Sequence, residues 1–271
     1  MIHTPIAVTI AGSDSGGGAG IQADLKTFSA LGVYGASVIT ALTAQNTREV
    51  RAIHDVPADF IAAQIDTVFD DLEVDAVKIG MLSQPEVIRT VADGLARHGI
   101  SRVVLDPVMV AKSGDKLLAD AAVESLRDVL LPMASLITPN LPEAAVLLGW
   151  KEVDVAADPE AACRALVKLG AKAVLLKGGH GSGRESTDLL YGMGMMRRYN
   201  AERIETRNTH GTGCTLSSAI AAGLAKNLSI EEAVRIAKDY IDAAIRAADG
   251  LEVGHGHGPV HHFHALWPAG A

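Results

Sequence analysis

Short apolar runs of strand length alternate with helix-spaced segments along most of the chain, and that alternation limits the fold more than any other feature. Residues 6–11 (IAVTIA) read as a buried strand. They lead through a loop, 12–20, into a helix whose apolar positions Ile21, Leu25, Phe28 and Leu31 share one face, with Gly32 as its stop. The pattern continues with strand 38–44, helix 57–72, strand 76–79, helix 85–97, strand 103–105 and helix 119–131. Strand 136–137, a helix from Pro142, helix 161–169 and strand 173–176 follow. Such alternation predicts βαβ units and therefore a mostly parallel sheet covered by helices on both faces. Residues 187–191 and 195–204 break the rhythm, and Gly192 and Gly194 between them predict an antiparallel edge hairpin. No linker divides the 271 residues, so one domain spanning 1–271 is expected.

In parallel sheets, ligands sit beyond the carboxyl ends of the strands. Here those ends carry polar or glycine-bearing residues: Gly12 to Asp14, Gln45, Met81, Asp106, Asn140 and Lys177. Six such sets predict a common rim. The loop 12–20 (GSDSGGGAG) lacks the Gly-Lys-Ser/Thr of a P-loop and the G-x-G-x-x-G dinucleotide fingerprint. Its glycines serve either a close backbone approach or a mobile lid.

The stretch 208–222 (NTHGTGCTLSSAIAA) supplies the chemistry expected of that rim. Gly211, Thr212, Gly213 and Cys214 open a helix marked by Leu216, Ile220 and Leu224. Backbone N–H groups at a helix start, freed to turn by glycines, form an anion site suited to phosphate. A thiol in that field is expected to ionise below about 8.5, which makes Cys214 a candidate proton acceptor. The alternative is a tight turn with Cys214 as a small filler.

Composition narrows the partners. The net charge is −8 and no basic block stands out, which argues against nucleic acid or anionic lipid as a partner. Two cysteines argue against a disulfide framework and for a reducing compartment, and Cys163 falls in a helical packing position. No apolar run reaches membrane-spanning length, so a cytoplasmic location is expected. Five of the ten histidines lie in the tail 254–264, without a diagnostic ligand set. They are expected to be dispensable for chemistry.

With these motifs in view, the chain resembles the ribokinase superfamily, and within it the hydroxymethylpyrimidine/phosphomethylpyrimidine kinases of thiamine biosynthesis. The resemblance is carried by residues 10–35, SVITALTAQNT (37–47), KIGML (78–82), VVLDPVM (103–109), LITPNLPEA (136–144), LLKGGH (175–180), 208–222 and GPVHHFHALW (258–267). It implies a ribokinase-like three-layer α/β/α sandwich, ATP and Mg²⁺ as co-substrates, a small pyrimidine phosphorylated twice in succession, and a homodimer. It also implies roles for individual residues. Gly211 to Cys214 form the anion hole, with Thr209 beside them and Cys214 taking the proton. Lys177 and Asp106 lie near the nucleotide phosphates. Asn140 and Glu143 organise Mg²⁺ through water. Gln45, Gly12, Asp24, Met81 and Val108 form the pyrimidine pocket. A Gln amide presents one donor and one acceptor, a match for the amino group and ring nitrogen of an aminopyrimidine. The residues alone leave alternatives: Asn140 capping the next helix, Glu143 favouring its start, Asp106 satisfying loop amides, Lys177 solvated. Two rival functions remain at this point, a pyridoxal kinase with the same flat pocket and a non-catalytic pyrimidine-binding regulator.

Overall fold

A computed structural model describes residues 3–109, 120–178 and 185–267. Expectations for Ala119, Gly179 and His180 lie outside the described residues. The strands are β1 (Ile6–Ser13), β2 (Tyr34–Gln45), β3 (Val50–Asp55), β4 (Ala76–Ile79), β5 (Val103–Leu105), β6 (Leu136–Ile137), β7 (Ala173–Leu176), β8 (Glu185–Gly192) and β9 (Met195–Glu202). They form one sheet in the order β3-β2-β1-β4-β5-β6-β7-β8-β9. The six from β2 to β7 in that order run parallel, while β3, β8 and β9 are antiparallel additions at the two edges. The helices are α1 (Gly20–Ala30), α2 (Ala58–Phe69), α3 (Pro85–Arg97), α4 (Asp120–Ser125), α5 (Leu141–Leu148), α6 (Glu152–Ala157), α7 (Pro159–Lys168), α8 (Thr212–Ala225) and α9 (Ile230–Arg246).

Strand alternation divides the core into two layers. Val8, Ile10, Val77, Ile79, Val103, Leu105, Ile137 and Val174 pack with apolar residues of α2, α3, α5 and α7. Their neighbours Ala7, Ala76, Val104, Leu136, Ala173 and Leu175 pack on the opposite face with α1, α8 and α9. The central strands are thus buried on both faces, as their near-continuous apolar runs require. The fold is the ribokinase-like α/β class, with a mostly parallel sheet between two helical layers.

Several boundaries differ from the sequence expectations. β2 begins at Tyr34 rather than 38, and the helix expected over 119–131 is α-helical through Ser125, then makes a π turn at Leu126–Leu130 and a 3-10 turn at Leu131–Met133. Pro132 removes a donor from that last turn and ends the helix. Strand β3 and helices α6 and α9 have no counterpart in those expectations.

The histidine tail is a strap, and one of its histidines, His262, helps to hold it in place. His262 is buried, its Nε2 lies 3.0 Å from the Thr215 hydroxyl in the first turn of α8, and its carbonyl accepts from Tyr240 Oη of α9 at 2.6 Å. Burial, helped by the nearby charge of Lys26, holds the imidazole down to about 3. The folded state therefore keeps His262 neutral at pH values where the unfolded chain, titrating near 6.5, takes up a proton. The contribution is nil above that pH and turns against folding as pH falls from about 6.5 toward about 3. By pH 5 this amounts to about 2 kcal/mol. Other titrating groups are common to both chains, so we expect the change in urea-unfolding stability from pH 7 to pH 5 to be about 2 kcal/mol less favourable in the native chain than in His262→Gln.

Candidate active site

Because β2, β1, β4, β5, β6 and β7 are parallel, their carboxyl ends share one edge. The expected rim forms there. A cleft of about 740 Å³ is lined by Gly12, Ser13, Asp14, Gln45, Met81, Asp106, Val108, Asn140, Glu143 and Lys177, and by Thr209 through Cys214. Its far wing is lined by Asp188 of β8 and by Lys238, Ile241, Asp242 and Ile245 of α9. That volume lies within the range of small-molecule sites.

Three helix N-termini line the cleft, those of α1, α5 and α8. Gly211, the residue preceding α8, has φ +79°, and a Cβ there would lie 1.8 Å from the Gly18 carbonyl oxygen. A Cβ on Gly18 would in turn meet the His210 ring at 2.3 Å. Glycine at both positions lets the two loops touch, so close backbone approach accounts for this part of the glycine loop. Asp14 fixes the rest of that loop. Its carboxylate accepts the N–H groups of Gly16 at 2.8 Å, Gly18 at 3.0 Å and Ala19 at 2.8 Å, and pairs with His210 Nε2 at 2.8 Å. Burial opposes its ionisation, but the His210 bond and charge and these amides outweigh it and hold the carboxyl below its usual range. Across the cleft, the Thr212 hydroxyl donates to the Thr209 carbonyl at 2.7 Å, bracing the turn into α8.

Asp106, just past β5, is buried and accepts from Thr138 Oγ1 at 2.9 Å and Lys177 Nζ at 3.0 Å. Burial disfavours its charge, yet Lys177 and Lys78 prevail and hold the carboxyl low. Lys177 is paired rather than solvated, with Glu143 Oε2 3.9 Å away. The capping alternative for Asn140 is realised: its side chain accepts from the Glu143 N–H at 2.8 Å while Glu143 Oε2 accepts from the Asn140 N–H at 2.8 Å, a capping box at the start of α5. Burial pushes Glu143 up to about 7, with Lys177 pulling it down and Asp106 pushing it up. This carboxylate is short of positive charge, and Glu143 with Asn140 fits a hydrated divalent cation.

Gln45 lines the cleft, its side-chain oxygen accepting from Thr43 Oγ1 at 3.2 Å and its nitrogen 3.5 Å from His210 Nε2. Met81 packs so close to Gly12 that a Cβ there would lie 2.5 Å from its terminal methyl. Any side chain at 12 would displace Met81.

Two expectations are revised. Asp24 does not line the cleft. It is fully buried, and its carboxylate accepts Lys78 Nζ at 2.9 and 2.8 Å, Thr9 Oγ1 at 2.6 Å and Ser218 Oγ at 2.6 Å. Lys78, which the sequence reading passed over, takes its place in the lining. The Cys214 thiol, expected to ionise easily, is instead pushed up to about 11. Burial dominates, aided by the negative charges of Asp24 and Asp106, while Lys78 and the Gly20 N–H pull the other way. The field of a helix start does not overcome the cost of desolvating a thiolate. Cys163 is a packing residue as expected, fully buried and pushed up to about 12.

His210 and Lys238 are also absent from the sequence-derived site, and the partners of both explain why. His210 pairs with Asp14 from the opposite end of the chain, and Lys238 with Asp188 at 2.9 Å. Among the described residues, no group of three or more His, Cys, Asp or Glu side chains is arranged to hold a metal ion directly. None of the described helices is long and apolar enough to cross a membrane.

The family model of phosphomethylpyrimidine kinase matches residues 14–261, a span that contains nearly the whole cleft. The chain belongs to that family. A hydroxymethylpyrimidine/phosphomethylpyrimidine kinase of Rhizobium meliloti is 61% identical over 97% of this chain and 99% of its own length. A solved phosphomethylpyrimidine kinase of Clostridium difficile is 48% identical, covers 89% of this chain and 99% of that one, and superposes with a TM-score of 0.78. The ADP complex of Bacillus subtilis pyridoxal kinase superposes with a TM-score of 0.88 at 38% identity, over 96% of this chain and 98% of that one. The kinase fold is therefore shared by enzymes of both vitamin classes.

The thiol's environment in this kinase makes a direct prediction. Iodoacetamide alkylation of Cys214 in the ligand-free protein should accelerate only above pH 9, with a midpoint far above that of a free thiol. A midpoint below 8.5 would return the thiol to the easily ionised class.

Proposed function

We infer that this kinase transfers the terminal phosphate of ATP to the hydroxymethyl group of 4-amino-5-hydroxymethyl-2-methylpyrimidine, and then to the resulting monophosphate, as a step in thiamine synthesis. The observation that carries the reading is the near full-length identity to kinases named for both substrates, combined with a cleft that contains the residues such transfers need. Transfer of a phosphoryl group demands mainly alignment and neutralisation of spread negative charge. The N–H groups of Gly211 to Cys214 at the start of α8 receive the transferring group, and Lys177, held by Asp106, offers a fixed cation beside it. Asn140 and Glu143 hold Mg²⁺ through water, and the ion neutralises phosphate charge when bound. The wing formed by Asp188 and α9 takes the nucleoside. Gln45 reads the pyrimidine, with Met81, Gly12 and Val108 setting the flat pocket. The protein acts as one kinase domain, a reading supported by the absence of a linker, in the cytoplasm, a reading supported by its two unpaired cysteines, and as a homodimer, which the family resemblance implies.

Cys214 takes the hydroxyl proton in the first transfer, acting through the small ionised fraction of a thiol that its surroundings hold near 11 in the ligand-free protein. A base contributes there because the acceptor is a neutral alcohol. The second acceptor is a phosphate monoester with a pKa near 6, already anionic at neutral pH. ADP release with Mg²⁺, ATP and the pyrimidine monophosphate tests the function directly, and should exceed release with pyridoxal. No release with either pyrimidine would overturn the reading, and faster release with pyridoxal would favour the other vitamin. In Cys214→Ala we expect the alcohol reaction to fall about 10² to 10⁴-fold and the monophosphate reaction far less. Equal losses would leave Cys214 a positioning residue.

A further inference from the structure

Lys78 is a charged residue in the middle of a sheet. The strand AVKI is buried throughout, and alternation puts Lys78 on the same face as Ala76, under α1 and α8. Its side chain is wholly inaccessible at 0% exposure, yet it forms part of the inner wall of the cleft that Cys214 also lines. Gly80 makes room for it: a Cβ there would lie 2.9 Å from Nζ. The ammonium is fixed by both oxygens of Asp24, and Asp24 is fixed in turn by Thr9 of β1 and Ser218 of α8. Ser218 stands one helical turn after Cys214, so the helix that presents the thiol is tied to the anion that holds Lys78.

We propose that Lys78, locked in place by Asp24, is a positioning residue for the first phosphorylation, supplying the fixed positive charge against which a proton leaves the substrate hydroxyl for Cys214. This rests on the proposed role of the thiol and deepens it. In balance, Cys214 first releases its proton to solvent. The thiolate then takes the hydroxyl proton as the substrate oxygen bonds to the terminal phosphorus, and the bond from that phosphorus to the ADP oxygen breaks. Lys78 stays protonated and exchanges nothing. The charged groups acting on the thiol are Lys78 of β4, Asp24 of α1, Asp106 after β5 and Lys177 after β7. Lys78 is the cation with the larger effect on it, and Asp24 alone would oppose ionisation. The second phosphorylation, whose acceptor is already anionic, has no such demand.

Lys78→Met alone would strand the Asp24 charge in the core, so the test uses Lys78→Met with Asp24→Asn, which removes both charges together. We expect the pair variant to melt cooperatively and to lose about ten- to a hundredfold in kcat on the alcohol, with little change in KM for ATP. The monophosphate reaction should fall less than about threefold, and the alkylation midpoint of Cys214 should rise by a fraction of a pH unit, because Lys78 acts on the thiol more strongly than the opposing Asp24. A pair variant that does not fold, that loses both half-reactions equally, or whose thiol reactivity is unchanged would overturn the proposal and leave the pair a structural bridge. Alkylation needs no substrate, so it tests the inference even if the native protein phosphorylates neither pyrimidine.

Discussion

The structure depends on burying charge at the carboxyl edge of a parallel sheet. A lone ammonium or carboxylate in such a place is strongly disfavoured, because desolvation exceeds what a single hydrogen bond returns. The chain meets this by pairing. Lys78, inside β4, sits on Asp24 of α1, and Lys177, just past β7, sits on Asp106, just past β5. Among the described residues, no buried side-chain nitrogen or oxygen lacks a hydrogen-bond partner. The two lysines line one cleft, and the fields of the two pairs overlap: Asp106 feels both lysines, and so does the Cys214 thiol. Burial and the charge of Asp106 outweigh Lys177 at Glu143 and push its carboxyl up to about 7, and a hydrated cation would relieve that cost.

Local geometry follows from that arrangement. The start of α8 must meet the glycine loop closely, so glycine precedes it: a Cβ on Gly211 would lie 1.8 Å from the Gly18 carbonyl oxygen. The glycine loop reaches the same spot from the opposite side and is held to it by Asp14 and His210. The tail then closes over the first turn of α8 through His262 and Thr215. Three segments far apart in sequence thus fix the start of α8, and the scaffold that positions them is the rigid sheet.

Much of this was legible from periodicity. The central parallel strands and most of the helices have apolar runs or stripes that physical spacing alone resolves, and parallel order then brings the strand ends into one rim. Strand β3 was not legible because VRAIHD carries no buried run: it is an edge strand with most side chains in solvent. Asp24 was assigned to the pocket by the resemblance, whereas its charged partner, 54 residues away in sequence, holds it inside the core. The available signal was Lys78 itself, a charge inside an otherwise apolar strand, which requires a buried counter-ion. The thiol was misread for a related reason. Sequence shows the helix start that lowers a thiol pKa, but not the burial that raises it.

The claim that the cleft is assembled from mutually dependent charge pairs is tested most directly by a double-mutant cycle in urea unfolding on Lys177→Met and Asp106→Asn. Each single variant strands one buried charge and should cost about 3 to 5 kcal/mol. The double variant should cost clearly less than their sum, with a coupling of about 2 kcal/mol or more. Additivity to within about 0.5 kcal/mol would contradict the account.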